Sequence, residues 1–107
     1  MAETLVIKTE RINPYDSSYF YLNIEHGGAR IGKARINKIY GKIIIKNINI
    51  FPEYQKQGFG TQVISYFKNT AREIIADRVR GTAKSFWEKM GFEDMHNGNY
   101  RWVSGHK

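Results

Sequence analysis

Residues 43–61 read Ile-Ile-Ile-Lys-Asn-Ile-Asn-Ile-Phe-Pro-Glu-Tyr-Gln-Lys-Gln-Gly-Phe-Gly-Thr, and they combine three local signals. The isoleucine-rich beginning predicts a β-strand, and the run Ile43–Ile45 is typical of an inner strand buried on both faces. Phe51-Pro52 ends that strand, and a loop with glycines at positions 58 and 60 leads directly into a helix. A strand, a glycine-containing loop and a helix N-terminus together form a phosphate-binding arrangement, because the first N–H groups of the helix are unpaired and its dipole favours negative charge.

The residues before this stretch predict three strands joined by turns. Thr4–Thr9 is β-branched and uninterrupted, and Tyr19–Glu25 alternates between apolar and polar positions, as expected for a half-buried strand. Ala29–Ile36 follows a Gly-Gly hairpin turn, and Gly32 within it indicates a bulge. Arg11–Ser18 carries Asn-Pro and Asp-Ser-Ser, which is turn chemistry.

The residues after the loop predict a long amphipathic helix over Gly58–Ala76. Its apolar stripe is spaced by four, four, four and three residues at Phe59, Val63, Phe67, Ala71 and Ile74. Arg78–Gly81 is expected to be a short extended segment after this helix.

A second, shorter helix is predicted over Ala83–Met90, with Thr82 as its N-cap and Gly91 as the residue after its C-cap. Phe92 onward and Tyr100–Val103 predict terminal strands around an Asn-Gly-Asn turn. The element order is therefore β-β-β-β-α-β-α-β, and we expect one mixed sheet flanked by the two helices.

Composition limits the classes of protein to which the chain can belong. With 107 residues we expect a single domain over positions 1–107. The chain has no cysteine and its three histidines are far apart, so we expect no disulfide, no thiol nucleophile and no metal site. Residues 1–10 do not resemble a signal peptide, and no apolar run is long enough to cross a membrane, so the default expectation is a cytoplasmic protein without a membrane partner.

The net charge of +7 predicts a general attraction to anions. The basic residues are spread from Lys8 to Lys107 without a long run. This diffuse distribution does not favour a dedicated nucleic-acid surface, although such a partner stays open. The aromatic residues Tyr15, Tyr19 and Tyr21 fit either a base-stacking platform or, more commonly, half-buried strand positions.

Two segments resemble the GNAT superfamily of N-acetyltransferases. Gln55–Gly60 matches the acetyl-coenzyme A motif Gln/Arg-x-x-Gly-x-Gly/Ala, and Ala83–Phe92 resembles the family's Ala-x-x-Phe-Tyr-Glu-Lys-Leu-Gly-Phe helix. The resemblance is close over Lys42–Glu93 and implies an α/β fold, with a mixed, mostly antiparallel sheet and a central β-α-β-α core that binds coenzyme A. The family usually inserts one or two acceptor-side helices after its first strand. Only Glu10–Ser18 is available here, so we expect those helices to be reduced or absent and the acceptor side to be open.

The resemblance also implies acetyl-CoA as cosubstrate and transfer of its acetyl group to an amine, with a protein lysine as the first candidate acceptor. It implies that the pantetheine arm contacts Ile48, Asn49 and Ile50, and that the pyrophosphate contacts Gln55, Lys56, Gln57, Gly58, Phe59, Gly60 and Thr61. The implied reaction is direct attack of the amine on the thioester, to which proximity contributes strongly.

Three departures from the family pattern concern catalysis. Trp87 stands where a tyrosine often protonates the leaving thiolate, Ile44 stands where many members have a glutamate base, and Arg80 replaces an asparagine. An indole N–H is a hydrogen-bond donor but not an acid, and isoleucine accepts no proton. The stretch 43–61 therefore favours cofactor binding more firmly than turnover.

The remaining catalytic candidates each have an ordinary structural alternative. Ser85 could donate a hydrogen bond to the thiolate or simply lie on a helix surface. Trp87 could line the thioester end or pack in the core. Glu25 with His26 could relay a proton through water or form only a hairpin tip. Arg80 and Lys84 could reach a phosphate of coenzyme A or be solvated.

Two other functions stay open from the sequence. The substitutions at Ile44 and Trp87 fit a non-catalytic acyl-CoA-binding module, and the net charge fits a basic nucleic-acid or protein-interaction domain on the same fold. The sequence leaves the acceptor and the oligomeric state undetermined.

Overall fold

The computed structural model describes residues 5–9 and 19–105, and a seven-stranded sheet dominates this part of the chain. Its strands are β1 Leu5–Thr9, β2 Phe20–His26, β3 Ala29–Ile39, β4 Lys42–Ile50, β5 Glu73–Ala76, β6 Glu93–Asp94 and β7 Tyr100–Val103. The strand order is β1-β2-β3-β4-β5-β7-β6, and all neighbours are antiparallel except β4 and β5, which are parallel. The predicted mixed, mostly antiparallel sheet is therefore confirmed. The turn predicted over 11–18 and the reduced helices expected over 10–18 lie outside the described residues, and the single-domain interpretation stays a prediction.

Two helices, α1 Phe59–Thr70 and α2 Lys84–Lys89, pack on the same face of the sheet. The core between them and the sheet is one cluster that contains Phe67 of α1, Trp87 of α2 and Ile45 of β4. Lys68 of α1 donates a hydrogen bond to the carbonyl of Met90, directly after α2, which joins the two helices. The opposite face of the sheet carries neither described helix.

The first long helix ends at Thr70, so the prediction that it extends to Ala76 was wrong. Ala71 already has an extended backbone, and Glu73–Ala76 forms β5, which pairs in parallel with Lys42–Ile45. Ala71 and Ile74 are buried as the apolar periodicity required. The apolar spacing fits a longer helix as well as a helix that is followed by a strand. The β-branched residues of this segment favour the strand, which pairs in parallel with β4.

The segment around the second helix also differs from its prediction. Arg80 has an extended backbone, but Arg78 has a φ of 53° and no strand forms at Arg78–Gly81, so the predicted extended segment is only partly present. A 3₁₀ turn over Gly81–Ala83 precedes α2 and Ala83 is its N-cap, so Thr82 does not cap the helix. The role predicted for Gly91 after the end of α2 is confirmed, because Gly91 has a φ of 88°. Its N–H donates to the Glu88 carbonyl and the Phe92 N–H donates to the Trp87 carbonyl, which is a Schellman motif.

The predicted inner position of β4 in the sheet is confirmed. The backbone of β4 approaches β3 closely at Gly32. The register between β2 and β3 shifts beside Gly32, which confirms the irregularity predicted there. A Cβ atom at Gly32 would lie 2.5 Å from the backbone oxygen of Asn49, so a side chain there would push β4 away. Ile43 and Ile45 are buried, whereas Ile44, on the face without the helices, is only half-buried. The expected burial of the Ile43–Ile45 run on both faces is thus only partly present.

Candidate functional site

The two parallel strands at the centre of the sheet part before β4 ends. Their pairing covers Lys42–Ile45 against Glu73–Ala76, and the last hydrogen bond joins the Asp77 N–H to the Ile45 carbonyl at 3.0 Å. β4 continues to Ile50, while the chain after Ala76 turns away. The parting leaves a cleft of about 850 Å³, called the central cleft below. Ligands of α/β proteins bind at such carboxyl ends of parallel strands.

A bulge in β4 coincides with this parting. The register shifts so that Arg35 pairs with Asn47 whereas Ile36 pairs with Ile45, which leaves Lys46 as the extra residue. The Lys46 ammonium lies 3.0 Å from the Asp77 carboxylate, and both side chains line the central cleft. Sequence analysis missed this pair because it placed Asp77 just after a helix rather than after a strand.

The far half of β4 presents backbone groups along a free edge. The Phe51 N–H donates to the Ile31 carbonyl on β3 at 2.8 Å, so the alternation of the strand turns the backbone groups of Ile48 and Ile50 away from β3. The Gln55 side-chain amide uses one of them, since its Nε2 donates to the Ile50 carbonyl at 2.8 Å. Asn49 follows the opposite alternation and faces β3 with its backbone.

The loop between β4 and α1 brings the first helical turn to the end of this edge. Lys56 and Gly58 have φ values of 64° and 84°, and Gly58 is the N-cap of α1. The first helical hydrogen bond runs from Gln62 to Gly58 at 3.1 Å, which leaves the N–H groups of residues 59–61 at the open end of the helix. Gln57 braces the loop by donating to the Glu53 carbonyl at 3.3 Å.

A second, smaller cleft of about 270 Å³ lies over this turn and is called the loop cleft below. It is lined by Ile50, Tyr54, Gln55, Lys56, Gly58, Phe59, Gly60, Thr61 and Phe86. A Cβ atom at Gly60 would lie 3.4 Å from the Phe86 ring, so glycine keeps this part of the cleft open. Phe59 is buried with its ring 4.7 Å from that of His26, which makes its side chain a core anchor and leaves its backbone N–H for a ligand.

Nine of the ten residues predicted to contact a cofactor line one of the two clefts. Ile48 and Asn49 line the central cleft and Ile50 lines the loop cleft. Of the loop residues, Gln57 does not line either cleft, and the others line the loop cleft. These residues follow the free edge of β4 from the parting of the strands to the start of α1, which suits a long, thin ligand with an anionic end.

The catalytic candidates are scattered. Ser85 is exposed on α2 and lines neither cleft. Glu25 is engaged by Lys8 at 3.3 Å, outside both clefts. Trp87 lines the central cleft but is only 5% exposed and packs edge-on against the Phe92 ring at 4.8 Å, so core packing accounts for it. Arg80 lines the central cleft whereas Lys84 does not.

The charge of the central cleft is strongly one-sided. Its cations among the described residues are Lys33, Arg35, Lys46, Arg78 and Arg80. Asp77 is the one carboxylate in the same described lining. Tyr21 also lines the cleft, and the Tyr19 ring lies under the Arg35 guanidinium at 5.3 Å. Tyr15 lies outside the described residues, so the suggested stacking platform stays a prediction.

Tyr100 is a buried titratable residue of the core. Burial raises the pKa of the Tyr100 phenol, and the nearby carboxylates of Asp94 and Glu88 raise it further. Tyr100 therefore stays neutral and serves as core. In the described part of the chain no cluster of histidine and acidic residues could hold a metal ion, and no helix is long and apolar enough to cross a membrane.

Comparisons with known proteins agree with this architecture. Residues 16–94 match the family model described as an acetyltransferase (GNAT) domain. The chain therefore belongs to the GNAT acetyltransferase family. It is 26% identical over 102 residues to an uncharacterized N-acetyltransferase of Oceanobacillus iheyensis, and this match covers 88% of the chain but only 61% of that relative.

Two solved structures share the fold over nearly their whole length. One is a GNAT family acetyltransferase from Elizabethkingia anophelis with acetyl-CoA bound, with a TM-score of 0.65, 17% identity, and coverage of 92% of this chain and 97% of that one. The other is the ribosomal-protein-S18-alanine N-acetyltransferase from Escherichia coli, with a TM-score of 0.67, 13% identity, and coverage of 97% and 96%. At these identities the two structures establish the fold alone.

Proposed function

We propose that this protein transfers the acetyl group of acetyl-CoA to an amine, with a protein lysine as the acceptor. The observation that carries the proposal is the free edge of β4, which runs beyond the last pairing with β5 toward the loop and the N-terminus of α1. Its outward backbone groups suit the pantetheine arm, and the helix N-terminus that follows it suits a pyrophosphate. The acetyl-CoA in the Elizabethkingia structure supports the same cosubstrate here.

The residues present fit such a ligand. The N–H groups of residues 57–61, with the Lys56 ammonium beside them, would hold the pyrophosphate by hydrogen bonds and charge. The outward backbone groups of Ile48 and Ile50 would hold the pantetheine amides. Gln55 acts inside this arrangement, because its hydrogen bond to the Ile50 carbonyl ties the loop to the end of β4.

Acetyl-CoA supplies an activated thioester when it is bound. The amine nitrogen bonds to the acetyl carbon, the carbon–sulfur bond breaks, and the proton lost by nitrogen goes to the departing thiolate through solvent. A backbone N–H on the free edge of β4 would stabilise the negative charge that develops on the carbonyl oxygen. Because Ile44 and Trp87 carry no transferable proton, holding the two reactants together is the main contribution of the protein.

The residues that line the central cleft favour an amine on a macromolecule. Tyr21, Lys33 and Arg35 reach the cleft from the sheet face that carries neither described helix, and a protein segment could approach from that face. A lysine side chain is long enough to reach the parting of β4 and β5 from that face. An N-terminal amine, such as the alanine named for the Escherichia coli structure, is the competing acceptor.

Calorimetry with acetyl-CoA tests the cofactor site. We expect binding to the wild-type protein and none to Gly58→Glu, because a carboxylate at the open end of α1 would repel the phosphates. Asn69→Glu is the control for added charge, since it lies at the exposed far end of the same helix. Gly58→Ala is the control for the strain of a Cβ at a φ of 84°, and it should bind more tightly than Gly58→Glu. Absence of binding to the wild type at millimolar ligand would refute the proposal.

Labelled acetyl-CoA tests the reaction and the acceptor. The protein is incubated with a lysate of its host, and the modified amines are identified by mass spectrometry. Acetylated lysine is the expected product, whereas label on N-termini would move the acceptor to an α-amine. Binding of acetyl-CoA without any labelled product would identify the chain as an acyl-CoA-binding module, and strongly salt-dependent binding to random DNA would indicate a nucleic-acid partner.

A further inference from the structure

The acceptor side of the central cleft carries two cations that the cofactor does not require. β3 alternates between buried Ala34 and Ile36, under the helices, and exposed Lys33 and Arg35 on the opposite face. Both cations line the central cleft. The N-terminus of α1 packs on the helix-bearing face, so phosphates held there would lie on the other side of the sheet from Lys33 and Arg35.

The carboxylate of this cleft does not neutralise these two cations. Asp77 pairs with the Lys46 ammonium at 3.0 Å, and both residues lie at the parting of the strands. Glu25 lies on the same sheet face but is paired with Lys8 and does not line the cleft. A cleft that is lined with one sign of charge raises the local concentration of the opposite sign and repels its own sign.

The two cations also have a defined spacing and orientation. Residues two apart on a strand lie about 6.6–6.8 Å from each other on one face. The Arg35 guanidinium stacks over the Tyr19 ring at 5.3 Å, which orients a planar group able to bind a carboxylate with two parallel hydrogen bonds. An extended peptide with acidic side chains at alternate positions has the matching period.

We propose that the acceptor is a lysine within an acidic protein segment, whose carboxylates bind Lys33 and Arg35 while the amine enters the central cleft. This inference rests on the proposed acetyl transfer and specifies its substrate. The cleft would correspondingly disfavour lysines with basic neighbours, because their charges would face those of Lys33 and Arg35.

Three peptides of equal length test the inference, each with one central lysine and with flanking residues that are acidic, neutral or basic. We expect kcat/KM for labelled acetyl transfer to be about tenfold higher for the acidic than for the basic peptide at low salt, and the difference to shrink at high salt. The variant Lys33→Glu/Arg35→Glu should lower the value for the acidic peptide about tenfold and raise it for the basic one. Lys89→Glu, an exposed change outside both clefts, should leave the order of peptides unchanged.

A binding measurement separates the inference from the proposed reaction. Fluorescence anisotropy of the labelled peptides, in the presence of coenzyme A, reports peptide binding without turnover. Acidic-peptide binding that depends on Lys33 and Arg35, with no acetyl transfer to any peptide, would uphold this surface and refute the reaction. Acetylation of all three peptides at equal rates, or preference for the basic one, would overturn the inference and leave the reaction standing. A lack of both transfer and charge preference would overturn both.

Discussion

The ammonium of Lys46 and the carboxylate of Asp77 lie 3.0 Å apart across the point at which β4 and β5 separate. Lys46 is the bulged residue of β4, and Asp77 makes the last backbone hydrogen bond between the two strands. The ion pair thus bridges the origin of the central cleft. Both side chains are less than one third exposed, at 27% and 18%, so water screens the pair less than it screens a surface pair.

We therefore expect Lys46 and Asp77 to be coupled by about 1 kcal/mol in the free energy of unfolding, at the upper end for partly exposed pairs. A double-mutant cycle with Lys46→Met and Asp77→Asn, followed by urea denaturation, measures this coupling. The pair Lys8–Glu25 is the control, because its lysine is 62% exposed and its coupling should be smaller. A coupling no larger than that of the control would contradict the expectation.

Replacement of Gly58 or Gly60 by alanine should have different effects on the free energy of unfolding. Gly58→Ala should cost about 1–2 kcal/mol, because a φ of 84° is unfavourable for any residue with a Cβ. Gly60→Ala lies within the helix at 3.4 Å from the Phe86 ring, and alanine there should be neutral or stabilise by up to about 1 kcal/mol. Thermal or urea unfolding of the two variants checks this difference.

Acetyl-CoA affinity should not follow stability in these variants. The methyl group of Gly60→Ala projects toward the loop cleft, so this variant should bind acetyl-CoA more weakly although it is at least as stable. Equal affinity for wild type and Gly60→Ala would count against the loop cleft as the pyrophosphate site.

Gly32 should be intolerant of any side chain. Gly32→Ala should destabilise by about 1–3 kcal/mol, because its Cβ would stand 2.5 Å from the Asn49 oxygen and β4 would have to move. Gly81→Ala is the matched control, since a Cβ there meets nothing within 4 Å and its change should stay within about 0.5 kcal/mol. Similar losses in the two variants, measured by urea denaturation, would show that close packing is not the cause.

Alanine substitutions at Trp87 and Ser85 should differ strongly in their effect on stability, because Trp87 is buried and Ser85 is exposed. Trp87→Ala should cost about 3–5 kcal/mol, the usual loss for a buried aromatic side chain. Ser85→Ala should change stability by less than about 0.5 kcal/mol and leave kcat unchanged, because Ser85 is exposed and lines neither cleft. A large fall in kcat for a stably folded Ser85→Ala would instead assign that hydroxyl to the reaction.

Lys68 should make the free energy of unfolding depend on pH in the alkaline range. Desolvation by burial lowers the pKa of its ammonium from 10.5, so the unfolded chain binds more protons than the folded one at pH values just below 10.5. The contribution of Lys68 to the free energy of unfolding therefore rises with pH across that window. The difference in urea-unfolding free energy between wild type and Lys68→Met, followed against pH, should show this rise, and a flat or falling difference would contradict it.

The elements that depend on local chemistry could be predicted from the sequence. Four features each need only a few consecutive residues: the Gly-Gly hairpin, the amphipathic first turns of α1, the Gly91 turn after α2 and the two family-like segments. The alternation in β2 and the inner position of β4 could also be predicted, because burial has a period of two along a strand. These local features were enough to place the candidate cofactor surface along β4 and the following loop.

Contacts between distant residues decided the rest. Residues 73–76 continue the apolar spacing of α1, and only their parallel pairing with Lys42–Ile45 makes them a strand. That pairing places Asp77 beside Lys46, a contact that no local sequence pattern predicts. Strand alternation already sets Lys33 and Arg35 on one face of β3, but only tertiary structure brings them into one cleft with Lys46 and Arg78. The sequence by itself determined most of the local elements and the family of this protein. Tertiary pairing decided where α1 ends, where the strands part and which charges meet there, because these features depend on residues that are far apart in the chain.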